Sequence, residues 1–245
     1  MASDLQGEHY SLVLRRLHEV LLPKSYLEIG VESGGILKTA RCPSIGVDPK
    51  FIFVNLETVA GILQKPELHL FQMGSDDFFA TQSPTALFGG PVDLAFLDGM
   101  HRCEFLLRDF LNTERHCKQN SVIALHDCLP VEVGITARTQ EDAKATAPHR
   151  ARWWTGDVWR TALLLKRRRP DLQITAIDAA STGLVLITRL DPANTTLADN
   201  YHSHLGEMFS WDLGEIGIEN YFSEMNLTSA AVLGTPEGIT GRFWL

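Results

Sequence analysis

The run Tyr26-Leu-Glu-Ile-Gly-Val-Glu-Ser-Gly-Gly-Ile-Leu37, with Gly46-Val-Asp48 after it, restricts the fold of this chain more than any other feature. An apolar strand enters a glycine turn, a helix-like segment follows, and a second strand ends in a carboxylate. That order is the first half of a nucleotide-binding βαβ unit. Gly30 and Gly34 let the backbone turn sharply and approach a ligand with no Cβ in between. Asp48 falls about twenty residues beyond Glu28, where a strand-end carboxylate can accept from ribose hydroxyls. The spacing is Gly-x-x-x-Gly-Gly, a poor fit to the Gly-x-Gly-x-x-Gly turn that cradles a dinucleotide pyrophosphate. Glu28, just before Gly30, suits a cofactor with a cationic amino-acid end.

Apolar residues at helical spacing over 9–22 predict an N-terminal helix that stops at Pro23. Strands are expected at 25–30, 44–48, 67–73, 92–97, 120–125, 172–177 and 183–189, with helical segments at 34–41, 54–63, 101–117 and 157–168. This alternation predicts an α/β fold, a doubly wound, mostly parallel seven-stranded sheet covered on both faces. Asp178-Ala-Ala-Ser-Thr-Gly183 is too short for a crossover helix, so the last two strands form an antiparallel C-terminal hairpin. Residues 1–190 read as one Rossmann-like domain that includes the N-terminal helix and a lid loop at 128–156. Residues 191–245 lack the βα rhythm, and read as an extension that packs on the domain or on a second subunit.

Six pieces stand at the expected strand and loop ends, in order: Leu27-Glu-Ile-Gly30, Gly46-Val-Asp48, Gly74-Ser-Asp-Asp77, Asp93-Leu-Ala-Phe-Leu-Asp-Gly-Met-His101, Leu125-His-Asp127 and Trp154-Thr-Gly-Asp-Val-Trp159. Together they resemble the class I S-adenosylmethionine-dependent methyltransferases. The nearest likeness is to the family that contains macrolide-sugar O-methyltransferases and their bacterial relatives. The resemblance implies S-adenosylmethionine as cofactor and a hydroxylated small molecule, a sugar or a secondary metabolite, as acceptor. It also implies a cofactor site built from Glu28, Gly30, Gly34, Asp48, Ser75 and Asp76. Read from the residues alone, Ser75-Asp76-Asp77 serves equally well as a helix N-cap.

Methyl transfer from a sulfonium needs an in-line nucleophile more than an activated electrophile. A hydroxyl nucleophile must lose its proton to a base of suitable pKa or under the influence of a metal. His101 has the intrinsic pKa for a base. If a helix begins near residue 100, Asp98 caps it and His101 overlooks the same cleft mouth. Asp98, His126 and Asp127 could supply three ligands to a divalent metal, an arrangement similar to that of metal-dependent O-methyltransferases. His126 departs from the commoner acidic residue there and shifts the preference from Mg²⁺ towards Mn²⁺, Fe²⁺ or Zn²⁺. The alternative is that His126 and Asp127 bond each other and shape the pocket wall. Trp154, Asp157 and Trp159 close the lid and read as substrate or gate residues, with Asp157 also a candidate cap.

A formal charge of −8 and a pI near 5.6 argue against a nucleic-acid partner. The basic run Lys166-Arg-Arg-Arg169 reads as a helix end that complements the dipole. No apolar run approaches the roughly eighteen residues of a membrane span. The N-terminus lacks a secretory leader, and the four cysteines show no Cys-x-x-Cys pairing. A cytoplasmic protein with no membrane partner is the expectation. Two histidines and a carboxylate would also suit an Fe(II)-dependent oxygenase, but such enzymes usually use β-sandwich folds. The non-enzymatic alternative is a methyltransferase-like scaffold that binds without catalysis.

Overall fold

The computed structural model describes residues 4–245. Helix α1 (Tyr10–Leu21) buries Val13, Leu14 and Leu17 and ends at Leu22, one residue before Pro23, whose ring cannot continue a helix. The strands are β1 (Tyr26–Ile29), β2 (Ser44–Val47), β3 (Leu68–Phe71), β4 (Val92–Leu97), β5 (Cys117–His126), β6 (Gln173–Ile177) and β7 (Leu184–Thr188). They form one sheet in the order β3-β2-β1-β4-β5-β7-β6. The first five are parallel, and β7 runs antiparallel to both β5 and β6. Every residue of β1, β2, β4 and β7 is buried, so these strands lie under cover on both faces. The covering helices are α2 (Leu56–Leu63), α3 (Ser75–Thr81), α4 (Pro84–Phe88), α5 (Cys103–Glu114), α6 (Gln140–Thr146) and α7 (Trp159–Arg168). This is the class I methyltransferase fold.

One expected element is absent. Residues 34–41 form only a single 3₁₀ turn, Leu37–Thr39. Two adjacent glycines start that segment and Pro43 follows it, which leaves too little helix-forming chain to offset nucleation. The cofactor-side loop is therefore a compact turn held by backbone bonds, Gly34 N–H to the Val31 carbonyl at 2.8 Å and Lys38 N–H to the Gly34 carbonyl at 3.1 Å.

The strand order reverses between β1 and β4, which opens a crevice at their carboxyl ends. Gly30 stands at this point with φ of +88°, and a Cβ there would lie 2.0 Å from the Asp98 carbonyl oxygen. Any side chain at position 30 would push the ends of β1 and β4 apart.

Residues 191–245 fold as α8 (Thr196–Asp199), α9 (Tyr201–Ser210), α10 (Leu213–Ile216), α11 (Ile218–Glu224) and α12 (Pro236–Thr240), against the same domain. The basic run does more than complement a dipole. Arg167 meets Glu224 at 2.6 Å and Arg168 meets Glu207 at 2.8 Å, so both tie α7 to the extension. Arg169 is fully buried and pairs bidentately with Glu114 of α5. Among the described residues no helix is long and apolar enough to cross a membrane, and all four cysteines are buried free thiols.

Glu28 is buried beneath the glycine turn. Its carboxyl accepts from the Tyr26 hydroxyl at 2.7 Å and from the Leu37 backbone. Burial pushes its pKa up to about 8 against the smaller lowering influence of these bonds and Lys65. The native state then keeps a proton that the unfolded chain releases, so stability falls as pH rises from about 4.5 to about 8. Glu28→Gln keeps the shape and removes this dependence. Urea midpoints taken across that window should flatten in the variant; an unchanged slope would assign the titration to another group.

Candidate active site

Four side chains from three segments converge at the carboxyl ends of β4 and β5. Asp98 follows β4, His101 lies in the turn beyond it, and His126 and Asp127 end β5. His101 Nδ1 donates to the Trp154 carbonyl at 3.1 Å and lies 3.3 Å from Asp127 Oδ2. His101 Nε2 is 3.6 Å from Asp98 Oδ1. His126 Nδ1 donates to Asp98 Oδ1 at 3.1 Å and lies 3.5 Å from Asp127 Oδ1. Asp127 adopts a left-handed conformation, φ +58°, which aspartate tolerates better than most residues. The Thr182 hydroxyl, from the β6–β7 turn, donates to Asp127 Oδ1.

The metal-competent set differs from the expected one. Donor atoms of Asp98, His101 and Asp127 lie within 4.8 Å of one another, a spacing a divalent cation can bridge. His126 sits behind them. Burial alone would disfavour its charged form, but the Asp127 and Asp98 carboxylates outweigh burial and raise its pKa to about 9. His126 lies outside that group, its Nδ1 on Asp98 and its buried Nε2 without a partner among the described residues. Tyr10, the first residue of α1, packs on the His126 ring with centroids 3.9 Å apart. No local sequence pattern pointed to Tyr10 or Thr182. Each arrives through tertiary pairing, Tyr10 N–H to the Ala180 carbonyl and Leu129 N–H to the Thr182 carbonyl.

On the opposite side of the crevice, Asp48 ties the turn to β2. Its Oδ2 accepts from Glu32 N–H and its Oδ1 from Lys50 N–H, both at 2.7 Å. Gly34 packs on Ile62 and Phe53. Ser75 opens α3 and bonds the buried Asp109, whose pKa burial pushes up to about 7. Asp76 is drawn into a bidentate pair with Arg108 at 2.7 and 2.8 Å, and Arg108 also donates to the Tyr201 hydroxyl of the extension at 2.7 Å. Glu28 is buried and held by the Tyr26 hydroxyl.

The lid is a folded segment. It carries α6 and 3₁₀ turns at Val133–Thr136 and Pro148–Arg150. Helix α5 starts at Cys103, later than expected, and Asp98 does not cap it. The buried Asp157 does so from across the chain, accepting Cys103 N–H at 2.9 Å. Asp157 also receives Arg138 of the lid at 2.6 Å and Arg160 at 3.0 Å, while Arg138 reaches Glu104. Gly156, with φ of +59°, lets the lid approach His101 so closely that a Cβ would stand 1.7 Å from the His101 carbonyl oxygen. The tryptophans divide. Trp154 stacks on His101 with centroids 4.8 Å apart and donates its indole N–H to the Ala137 carbonyl. Trp159 is buried against Tyr221, because its helix turns that face onto the extension.

Residues 27–128 match the family described as "Methyltransferase domain". Among solved structures, the chain is similar to cofactor-bound Rv0187 from MTB, with 20% identity and a TM-score of 0.55, covering 74% of this chain and 80% of that one. It is similar to the O-methyltransferase TomG of Streptomyces achromogenes, solved with SAM and involved in tomaymycin synthesis, with 16% identity and a TM-score of 0.53 over 73% of this chain and 78% of that one. An O-methyltransferase of Bacillus cereus in complex with SAH aligns with 12% identity and a TM-score of 0.51 over 74% and 80% of the two chains. At these identities the likeness establishes the fold. No curated protein matches the sequence.

Arg138 is the lid's ionic tie to Asp157 and Glu104. Arg138→Ala should raise the rate of limited proteolysis within 130–152 several-fold, because a segment opens more readily once the ion pairs that anchor it are removed. Unchanged cleavage would show that the stacking and hydrogen bonding of Trp154 hold the lid alone.

Proposed function

We propose, for a chain whose residues 27–128 match a methyltransferase domain on the class I fold, S-adenosylmethionine-dependent O-methylation of a hydroxylated small molecule, a sugar or a secondary metabolite. The observation that carries this reading is the convergence of Asp98, His101 and Asp127 at the carboxyl ends of the strands that flank the switch point. Gly30, Gly34 and Asp48 are the residues that would hold the cofactor, Glu28 shaping their turn from below and Ser75 and Asp76 standing at the start of α3. When bound, that cofactor supplies a sulfonium methyl whose leaving group is a neutral thioether.

The chain's own part is to place an acceptor oxygen and take its proton. His101 Nδ1 is committed to the Trp154 carbonyl, which leaves Nε2 as the basic nitrogen facing the crevice side of Asp98. Asp127, 3.3 Å from Nδ1, stabilises the imidazolium that results. Trp154 fixes the ring plane by stacking. In the alternative, with His101 Nε2 given to a metal instead of a proton, Asp98, His101 and Asp127 would hold a divalent cation, with a mixed nitrogen and oxygen set that suits Mn²⁺ or Fe²⁺ better than Mg²⁺. Such an ion would acidify the acceptor hydroxyl.

Titration with S-adenosylhomocysteine, with and without Mn²⁺ or Mg²⁺, tests cofactor and metal together. Asp48→Ala should weaken that binding by about 1–3 kcal/mol, since a buried hydroxyl pair loses its acceptor. Tighter binding of a dinucleotide than of S-adenosylhomocysteine would overturn the cofactor assignment. With a panel of hydroxylated acceptors, His101→Ala should lower kcat by about 10²–10⁴-fold with cofactor affinity nearly unchanged. If chelation leaves turnover intact and His101→Ala keeps full activity, both roles fail and the cluster belongs to pocket structure.

A further inference from the structure

One groove lies away from the crevice, and the methyl-transfer reading makes no use of it. It encloses about 840 Å³ between the last turns of α1, the 3₁₀ turn Leu37–Thr39 and α2. Leu22, Pro23 and Cys42, which precede β1 and β2, place it at the amino-terminal end of the strands.

Two independent observations mark it as a site. The first is His18 in its wall. This imidazole is 5% exposed, packs edge-on against Tyr26, and neither ring nitrogen has a partner among the described residues. Buried polar atoms are almost always bonded, so an imidazole left with both nitrogens unpaired is costly unless something else completes it. Burial and the nearby Lys65 charge hold it neutral, with one nitrogen to donate and one to accept.

The second observation is charge. In a chain of net charge −8, the groove gathers Arg15, Lys38 and Arg41 against Glu19 and Glu57. Arg15 and Lys38 have loose pairings with these glutamates, at 3.5 and 3.7 Å on exposed side chains. Such pairs are worth little in water. Arg41 touches only the Gln64 amide oxygen, at 3.4 Å, and has no carboxylate partner among the described residues. Thr39 and Gln64 add neutral polar groups to the lining.

We propose that this groove is an accessory binding site for a small organic anion, one carrying a carboxylate or phosphate for Arg41 and a hydrogen-bonding body that reaches His18. The site is separate from the crevice and shares none of its residues.

The test uses the intact protein and two probes, inorganic phosphate and citrate, titrated at constant ionic strength and followed by amide chemical shifts. Saturable shifts confined to Arg15, Lys38, Arg41 and Gln64 are expected, with the tighter probe identifying the anionic group preferred. The exposed Arg41→Glu change should weaken that binding by about tenfold or more, as expected when an ionic hydrogen bond is replaced by like-charge repulsion. His18→Leu removes a buried unpaired imidazole, so it should leave the melting temperature unchanged or higher while weakening the probe about fivefold or more. Shifts that grow linearly with concentration, shifts that persist in Arg41→Glu, or the absence of shifts with both probes would each overturn the site. Full binding by His18→Leu would remove the imidazole from it and with it the argument for a built pocket.

Discussion

The contact on which the site depends is the approach of Gly30 to the Asp98 carbonyl, so close that no side chain fits between them. It joins the carboxyl ends of β1 and β4 at the point where strand order reverses. Through this contact the glycine turn and the acid–imidazole cluster lie side by side at the carboxyl ends of the two strands. Asp48 reinforces the turn by accepting two backbone N–H groups, which pre-sets a loop that carries glycines and would otherwise be costly to order.

The cluster itself is an electrostatic compromise. Asp98 and Asp127 would repel each other across the end of the sheet, and a carboxylate pair of which one member is buried is unfavourable without a countercharge. His126 lies against both, its Nδ1 donating to Asp98, and the two carboxylates favour its charged form against the opposing effect of burial. The two histidines look equivalent as residue types. Their surroundings separate them: one is enclosed under Tyr10 and the other is part-exposed beneath Trp154.

The extension and the lid are parts of the same construction. Tyr221 of the extension donates to the Cys128 carbonyl at 2.6 Å, immediately after the β5 dipeptide. Arg160 bridges Asp157 to the Trp211 carbonyl, and Tyr201 joins Arg108, the partner of Asp76. The lid anchor, the end of β5 and the start of α3 are thus all braced by residues beyond 190.

What the sequence by itself determined is what depends on local periodicity. All seven strands, the N-terminal helix, the antiparallel hairpin and the strand-end positions of Asp48, Asp98, His126 and Asp127 were legible there. Alternation of buried runs with turn residues encodes them within a few neighbours. The expected helix at 34–41 did not form because glycines weaken a helix of that length. Only the tertiary structure decided which histidine faces the crevice, that Asp157 caps α5 in place of Asp98, and that Trp159 belongs to the core. It alone brought Tyr10 and Thr182 to the cluster. These outcomes rest on burial and on hydrogen bonds between residues far apart in the chain. Spacing along a strand or helix carries no information about which distant donor, charge or ring will occupy the space beside it.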